Sequence, residues 1–455
     1  MSEIMNPYNY ADPWQAPLCN TPLNSTVNIP GSKSLSNRYL ILAALAQKPV
    51  VLQGLLRSRD TELMMEALKV FGVKCESLNS EGTTVRVDPN EDGRFHVRPG
   101  AIVHCGLAGT VMRFVSALAL FADNPVRFDG DEQAYARPMK PVLDGLEQLG
   151  ATVKYEGEVG FLPYTITPPC KDSKMHTNSQ KIVSIDSSAS SQFISALLLI
   201  ASRIPGGLNL NHIGKTLPSM PHIVMTIDDV QKAGGSVQMH EPSSWTVCHT
   251  QLELPNVVVV EPDLSNAAPF LGAALIASGT VRVPNWPKST TQPGGLLPAI
   301  LEQMGAVVNF EEDAANTGSG ILSVTGNGSI YAISSLDLSK AGEITPSIAA
   351  ILAFANGPSE LHGIAHLRGH ETNRLEALVT ELNRIGINAK ELDDGIRIEP
   401  NNNMHGEVME TYADHRMATF AAMLGLRIEN MRVKNIATTR KTIPDFPGMW
   451  SAMLS

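Results

Sequence analysis

Residues 36–55 read SNRYLILAALAQKPVVLQGL: a polar start, an Ala- and Leu-rich run of helical length, a Gln-Lys-Pro break and a short apolar strand. A helix apolar on all sides belongs in a core. The same phrase recurs as GTVMRFVSALALFADNPVRFDG (109–130), SSQFISALLLIASRIPGGLNLNHI (190–213), SNAAPFLGAALIASGTVRVPNW (265–286), TPSIAAILAFANGPSELHGI (345–364) and YADHRMATFAAMLGLRIENMRVKNI (412–436). These six copies start roughly 70 to 80 residues apart, long enough for one βαβαββ unit and too long for a solenoid repeat.

Five copies continue into a second helix and a strand, as in MMEALKVFGVKCES (64–77), PVLDGLEQLGATVKYEG (141–157) and LEALVTELNRIGINAKELDD (375–394). Here apolar residues fall on one face only, and a Gly closes the helix. Six units give an α/β protein of two domains with three units each. The sixth copy ends at IPDFPGMWSAMLS (443–455) without its second half, so the segment before Gly31 is expected to complete the C-terminal domain. The expected division is residues 1–31 with 262–455 as one domain and 32–261 as an inserted one, with hinges near 31 and 261.

The chain has 455 residues, 43% hydrophobic and 18% charged, with a formal charge of −10. That balance argues against broad attraction to nucleic acid or anionic membrane. No apolar run approaches membrane-spanning length and the first residues lack a signal-peptide pattern, so a cytoplasmic protein is expected. The five cysteines (Cys19, Cys75, Cys105, Cys170, Cys248) show no metal-ligand or disulfide spacing. No cofactor motif is present, and neither cofactor nor metal is expected.

Polar groups gather where the buried helices begin, at the end whose free N–H groups favour anions. Pro30-Gly31-Ser32-Lys33-Ser34-Leu35-Ser36-Asn37-Arg38 brings two cations to one helix start, although GSKS alone reads more readily as a solvated turn. Cys105 to Arg113 offers small residues for close backbone approach or for helix packing. Ser187 to Phe193 offers hydroxyls and an amide, or a capping run. Farther on come Arg368-Gly369-His370-Glu371-Thr372-Asn373-Arg374, Asp414-His415-Arg416 and Arg440-Lys441. With Arg137, these cations at equivalent repeat ends suggest ligands carrying several negative charges held between two domains. Glu343, Glu371 and His415 are the candidates for proton transfer.

GSKSLSNR (31–38), LAGTVMR (107–113), ARPM (136–139), SSQF (190–193), RGHETNRL (368–375) and YADHRMA (412–418), in this order, resemble the 5-enolpyruvylshikimate-3-phosphate synthase family, with an ending, KTIPDFPGMW, similar to the actinobacterial form. The resemblance implies an inside-out α/β barrel of two domains, each of three βαβαββ units. It implies transfer of the enolpyruvyl group of phosphoenolpyruvate to the 5-hydroxyl of shikimate 3-phosphate through a tetrahedral intermediate, by a monomer whose domains close over the substrates. Lys33, Ser34, Arg38, Ser190, Ser191, Ser219, Glu343 and His370 would bind shikimate 3-phosphate. Lys33, Gly109, Arg137, Gln192, Arg374, Arg416 and Lys441 would bind phosphoenolpyruvate. Glu343 would be the base at the 5-hydroxyl and Glu371 the acid at the methylene, with Lys33 and His415 also catalytic. Gly109 is similar to the small residue of glyphosate-sensitive members, so competition by glyphosate is expected.

Leu107 and His366 stand where the better-known bacterial pattern has Asn, Glu343 where it has Asp, and His370 where it has Lys. The nearest alternative is the UDP-N-acetylglucosamine enolpyruvyl transferase family, which carries a Cys in the loop before its ARP motif. Here that loop is Asp131-Glu132-Gln133-Ala134-Tyr135-Ala136, without Cys. A non-catalytic binding relative is the other alternative.

Overall fold

A computed structural model describes residues 10–314, 318–369 and 371–455. The chain forms two compact units, one from Gly31–Val260 and one from the residues up to Pro30 together with Glu261–Ser455.

The inserted unit carries helices α1 (Lys33–Leu45), α2 (Arg59–Val70), a π-helical turn at Val111–Val115 leading into α3 (Ser116–Leu118), α4 (Lys140–Gln148), α5 (Gln192–Ala201) and α6 (Met220–Lys232). In α1 every residue from Leu35 to Leu45 is buried, and in α5 every residue from Phe193 to Ala201. Such helices have no polar face to offer water, so they pack on one another while the sheets lie outside them. By contrast α4 buries only Val142, Leu143, Gly145 and Leu146.

Two of the three sheets are complete βαβαββ units. Lys181–Ile185 runs parallel to Leu208–His212, which pairs antiparallel with Ser244–Val247 and through it with Val237–His240. Ile102–His104, Val126–Asp129, Tyr164–Thr167 and Thr152–Tyr155 repeat this order. The sheet after α1 takes its parallel neighbour from the far end of the unit: Val257–Val259 pairs with Val50–Gln53. A reading that starts each copy at its buried helix misses this, because the pairing spans about 200 residues.

The discontinuous unit holds α7 (Leu264–Ala277), α8 (Leu297–Gln303), α9 (Thr345–Leu352), α10 (Arg374–Arg384), α11 (His415–Leu424) and α12 (Phe446–Leu454). Helices α7, α9 and α11 are buried and in mutual contact. Leu23–Thr26 pairs parallel with Gly279–Pro287, and Trp14–Gln15 pairs antiparallel with Arg432–Val433 beside Val408–Met409. Each unit has its own apolar core.

One element departs from the repeat. Residues 111–115, read as the start of a regular helix, form a wide π turn. Ser116 Oγ donates back to the Met112 carbonyl at 2.6 Å, and the turn carries Arg113 against Gln192. Wide turns of this kind recur at functional sites.

Candidate active site

In the inserted unit Ser32 caps α1 by accepting from Leu35 N–H at 3.4 Å, and Lys33 opens the helix with its Nζ 3.5 Å from Asp60. One turn on, Arg38 is buried. Its Nε donates to Thr226 Oγ1 at 2.8 Å, and its terminal nitrogens donate to the Ser34 and His222 carbonyls, both at 3.0 Å. Burial lowers the Arg38 pKa to about 10, with Asp229 opposing. Ser219 stands at the N-cap position of α6 in a left-handed conformation, φ 54°, at the start of the helix that holds Arg38.

The second cluster surrounds Gly109. A Cβ there would lie 2.9 Å from Arg113 Nη1, 3.0 Å from Arg137 Nη2 and 3.1 Å from Gln192 Oε1, so only glycine leaves the space open. Arg113 donates to Gln192 Oε1 at 2.7 Å and to the Pro138 carbonyl at 3.4 Å, and lies over the Phe193 ring at 5.0 Å. Its Nε is buried without a partner. Burial and the neighbouring Arg137 lower its pKa to about 9, so the charge persists at neutral pH in an unfavourable setting. Arg137 donates to the Leu107 carbonyl at 2.8 Å. Ser190 and Ser191 precede Gln192, whose N–H donates to Ser190 Oγ at 3.3 Å. The starts are stitched together: Asn37 donates to Thr110 Oγ1 at 2.9 Å, and Thr226 Oγ1 lies 2.9 Å from Ser195 Oγ.

In the discontinuous unit the cations face carboxylates. Arg374 donates through Nε to Asp414 Oδ2 at 2.7 Å and through Nη2 to Oδ1 at 3.3 Å, both side chains buried. Burial works against the Arg374 charge, and Asp414 together with Glu343 and Glu371 more than restores it, raising its pKa. Asp414 also caps α11, accepting from Arg416 N–H at 2.8 Å. Arg416 donates to Glu343 Oε2 at 3.0 Å and to Asn266 Oδ1 at 2.9 Å. Glu371 accepts from His415 Nδ1 at 3.1 Å and from Lys441 Nζ. Burial tends to raise the Glu371 carboxyl, but His415 and Lys441 together hold it well below the usual range. Burial lowers His415 to about 4, so its ring is neutral and donates from Nδ1 to a carboxylate that can only accept.

The structure thus brings Gly109, Arg137 and Gln192 together, joins Arg38 to the Ser219 helix, and gathers Glu343, Glu371, Arg374, His415, Arg416 and Lys441 at neighbouring helix ends. His370 lies outside the described residues. Among the described residues one trio, Glu371, Asp414 and His415, comes close enough to chelate an ion. Its oxygens already serve Lys441, Arg374 and the imidazole, so ion pairing describes its chemistry. Arg113 was absent from the expected set, although it lies four residues after Gly109 and so on the same helical face. His366 also approaches the cluster. Its Nε2 would meet a Cβ at Gly342 at 2.7 Å, and burial, aided by Arg374, lowers its pKa.

The fold matches solved enolpyruvyl transferases. The EPSP synthase of Acinetobacter baumannii superposes with a TM-score of 0.80 at 24% identity over 95% of this chain and 96% of that one. The enolpyruvyl transferase NikO of Streptomyces tendae gives 0.70 at 15% identity over 96% of each chain. The model of the EPSP synthase (3-phosphoshikimate 1-carboxyvinyltransferase) family matches residues 19–450. Two curated relatives carry the name 3-phosphoshikimate 1-carboxyvinyltransferase. That of Bifidobacterium longum DJO10A is 64% identical over 97% of this chain and 98% of its own length, and that of Kocuria rhizophila is 46% identical over 97% of each. The chain belongs to the EPSP synthase family.

Proposed function

We propose that the chain transfers the enolpyruvyl group of phosphoenolpyruvate to the 5-hydroxyl of shikimate 3-phosphate, releasing phosphate, as a step toward chorismate and aromatic amino acids. The observation that carries this is the 64% identity to a 3-phosphoshikimate 1-carboxyvinyltransferase over nearly the full length of both chains. In the addition, the hydroxyl oxygen bonds to C2 of phosphoenolpyruvate as its methylene takes a proton, giving a tetrahedral phosphoketal. Loss of phosphate and of a methyl proton then restores the enol. These steps rearrange C–O, C–H and C–C π bonding with no net electron transfer.

The site residues suit these steps. Gly109, Arg113, Arg137 and Gln192 would receive the phosphoenolpyruvate phosphate, because the buried Arg113 guanidinium there rests on an amide oxygen, a carbonyl and a phenyl ring. Arg374 and Arg416 would hold its carboxylate. Lys33, Ser34, Arg38, Ser190, Ser191 and Ser219 would hold shikimate 3-phosphate, with His370 a further candidate, and Lys33 would also stabilise charge on the departing phosphate. Glu343 would take the 5-hydroxyl proton. Glu371 is a carboxylate while Lys441 binds it, so an acid role requires Lys441 to turn to the substrate anion, which would raise the proton affinity of Glu371. His415 would relay or orient that proton.

A cytoplasmic monomer fits this reading. Among the described residues no helix is long and apolar enough to cross a membrane. The test is product structure: with both substrates, NMR should show a carboxyvinyl ether at the 5-oxygen of shikimate 3-phosphate. A carboxyvinyl ether formed only on UDP-N-acetylglucosamine would replace the proposed acceptor.

A further inference from the structure

The residues before α11 hold a backbone conformation that L-amino acids rarely adopt. Tyr412 and Ala413 are consecutive non-glycine residues in the left-handed region, at φ 53° and 55°, directly before Asp414, His415 and Arg416. Left-handed conformations crowd a Cβ against the backbone and persist only where the surroundings enforce them. The surroundings here are specific. Glu381 on α10 is fully buried and accepts from the Tyr412 hydroxyl at 2.8 Å and from the Glu410 N–H at 3.1 Å. Arg384 Nε lies 3.2 Å from the same carboxylate. Thr438 Oγ1 donates to the Ala413 carbonyl at 2.9 Å, and Asp414 N–H donates to the Thr411 carbonyl at 2.8 Å. Burial and Glu381 push the Tyr412 hydroxyl up to about 12, so it keeps its proton and donates.

Glu381 lies seven residues after Arg374 and so shares its helical face. One face of α10 therefore grips the chain on both sides of the strained pair, at Glu410 through Glu381 and at Asp414 through Arg374, while Glu381 also holds Tyr412 itself. We infer that Glu381 and Tyr412 are positioning residues: their clasp holds the left-handed pair, and the pair sets the direction in which the chain enters α11 and presents His415 and Arg416. The inference rests on the proposed reaction for its kinetic readout and on geometry for the rest.

Tyr412→Phe removes one hydroxyl and leaves the ring. It should lower kcat about tenfold with an unfolding midpoint near that of the parent chain. Ala413→Gly, which adopts positive φ without strain, should change little alone and recover most of the loss when added to Tyr412→Phe. Glu381→Gln keeps one acceptor oxygen where the carboxylate serves Tyr412, Glu410 N–H and Arg384, and should fall between the parent and Tyr412→Phe. A separate readout needs no reaction: the His415 ring resonances, assigned with His415→Gln, should move in Tyr412→Phe and return in the double variant. Unchanged kcat and unchanged His415 resonances in Tyr412→Phe would overturn the inference, as would a loss that Ala413→Gly fails to recover. An inactive parent chain would refute the proposed reaction alone, and the resonances would still decide the clasp.

Discussion

Arg113 and Arg374 are both buried guanidiniums, yet the first rests on an amide oxygen and a phenyl ring and the second on a carboxylate. In the discontinuous unit Arg416 and Lys441 likewise face the carboxylates of Glu343 and Glu371. A cation desolvated among neutral groups has given up water without gaining a counter-charge, so an arriving anion supplies what is missing. A cation already paired gains less from an anion and must exchange partners. That exchange can move a proton, because a carboxylate that loses its cation binds protons more tightly.

The sharpest way to break this comparison is to remove one guanidinium from each unit. Arg374→Leu leaves Asp414 buried without its counter-charge and should cost about 3–5 kcal/mol of unfolding free energy. Arg113→Leu orphans no carboxylate, so its cost in denaturant titration should stay within about 1 kcal/mol, with activity lost in both variants. Equal destabilisation would erase the distinction.

The next effect concerns Asp229, a buried carboxyl that burial raises to about 7 despite the opposing Arg38. The folded chain then binds a proton that the unfolded chain releases near pH 4, so stability falls as pH rises from about 4 to 7 and is level above that. Asp229→Asn should match the parent near pH 4 and exceed it by on the order of 4 kcal/mol at pH 8. A parallel pH dependence in parent and variant would show that Asp229 is ionised throughout. It would also place a true ion pair beneath Arg38.

A smaller effect is expected at Gly109. A methyl group there must displace Arg113, Arg137 or Gln192 by a few tenths of an ångström, so Gly109→Ala should raise KM for phosphoenolpyruvate about tenfold, or roughly 1.4 kcal/mol, with kcat less affected. Inhibition by glyphosate, expected to compete at this place, should weaken at least as much. An unchanged KM would put the phosphate elsewhere.

The buried helices were legible because Ala- and Leu-rich runs with no polar face have one stable environment, and the second helices because Gly72, Gly150, Gly234, Gly305 and Gly386 punctuate them. The candidate groups could be picked out where they sit at helix starts, since Ser32, Asn373 and Asp414 announce those starts as caps. Contacts across sequence were not. Nothing local ties Asp229 to Arg38, Glu381 to Tyr412, or Val257–Val259 to Val50–Gln53. The π turn at Val111–Val115 was hidden too, because residue order there reads as ordinary helix and the wider turn shows only once Arg113 meets Gln192.

The most direct test of the whole account is phosphate release from phosphoenolpyruvate by the purified chain, with shikimate 3-phosphate or UDP-N-acetylglucosamine as acceptor. The account predicts release that depends on shikimate 3-phosphate and none with the nucleotide sugar. Release with the nucleotide sugar alone, or with neither acceptor, would contradict it.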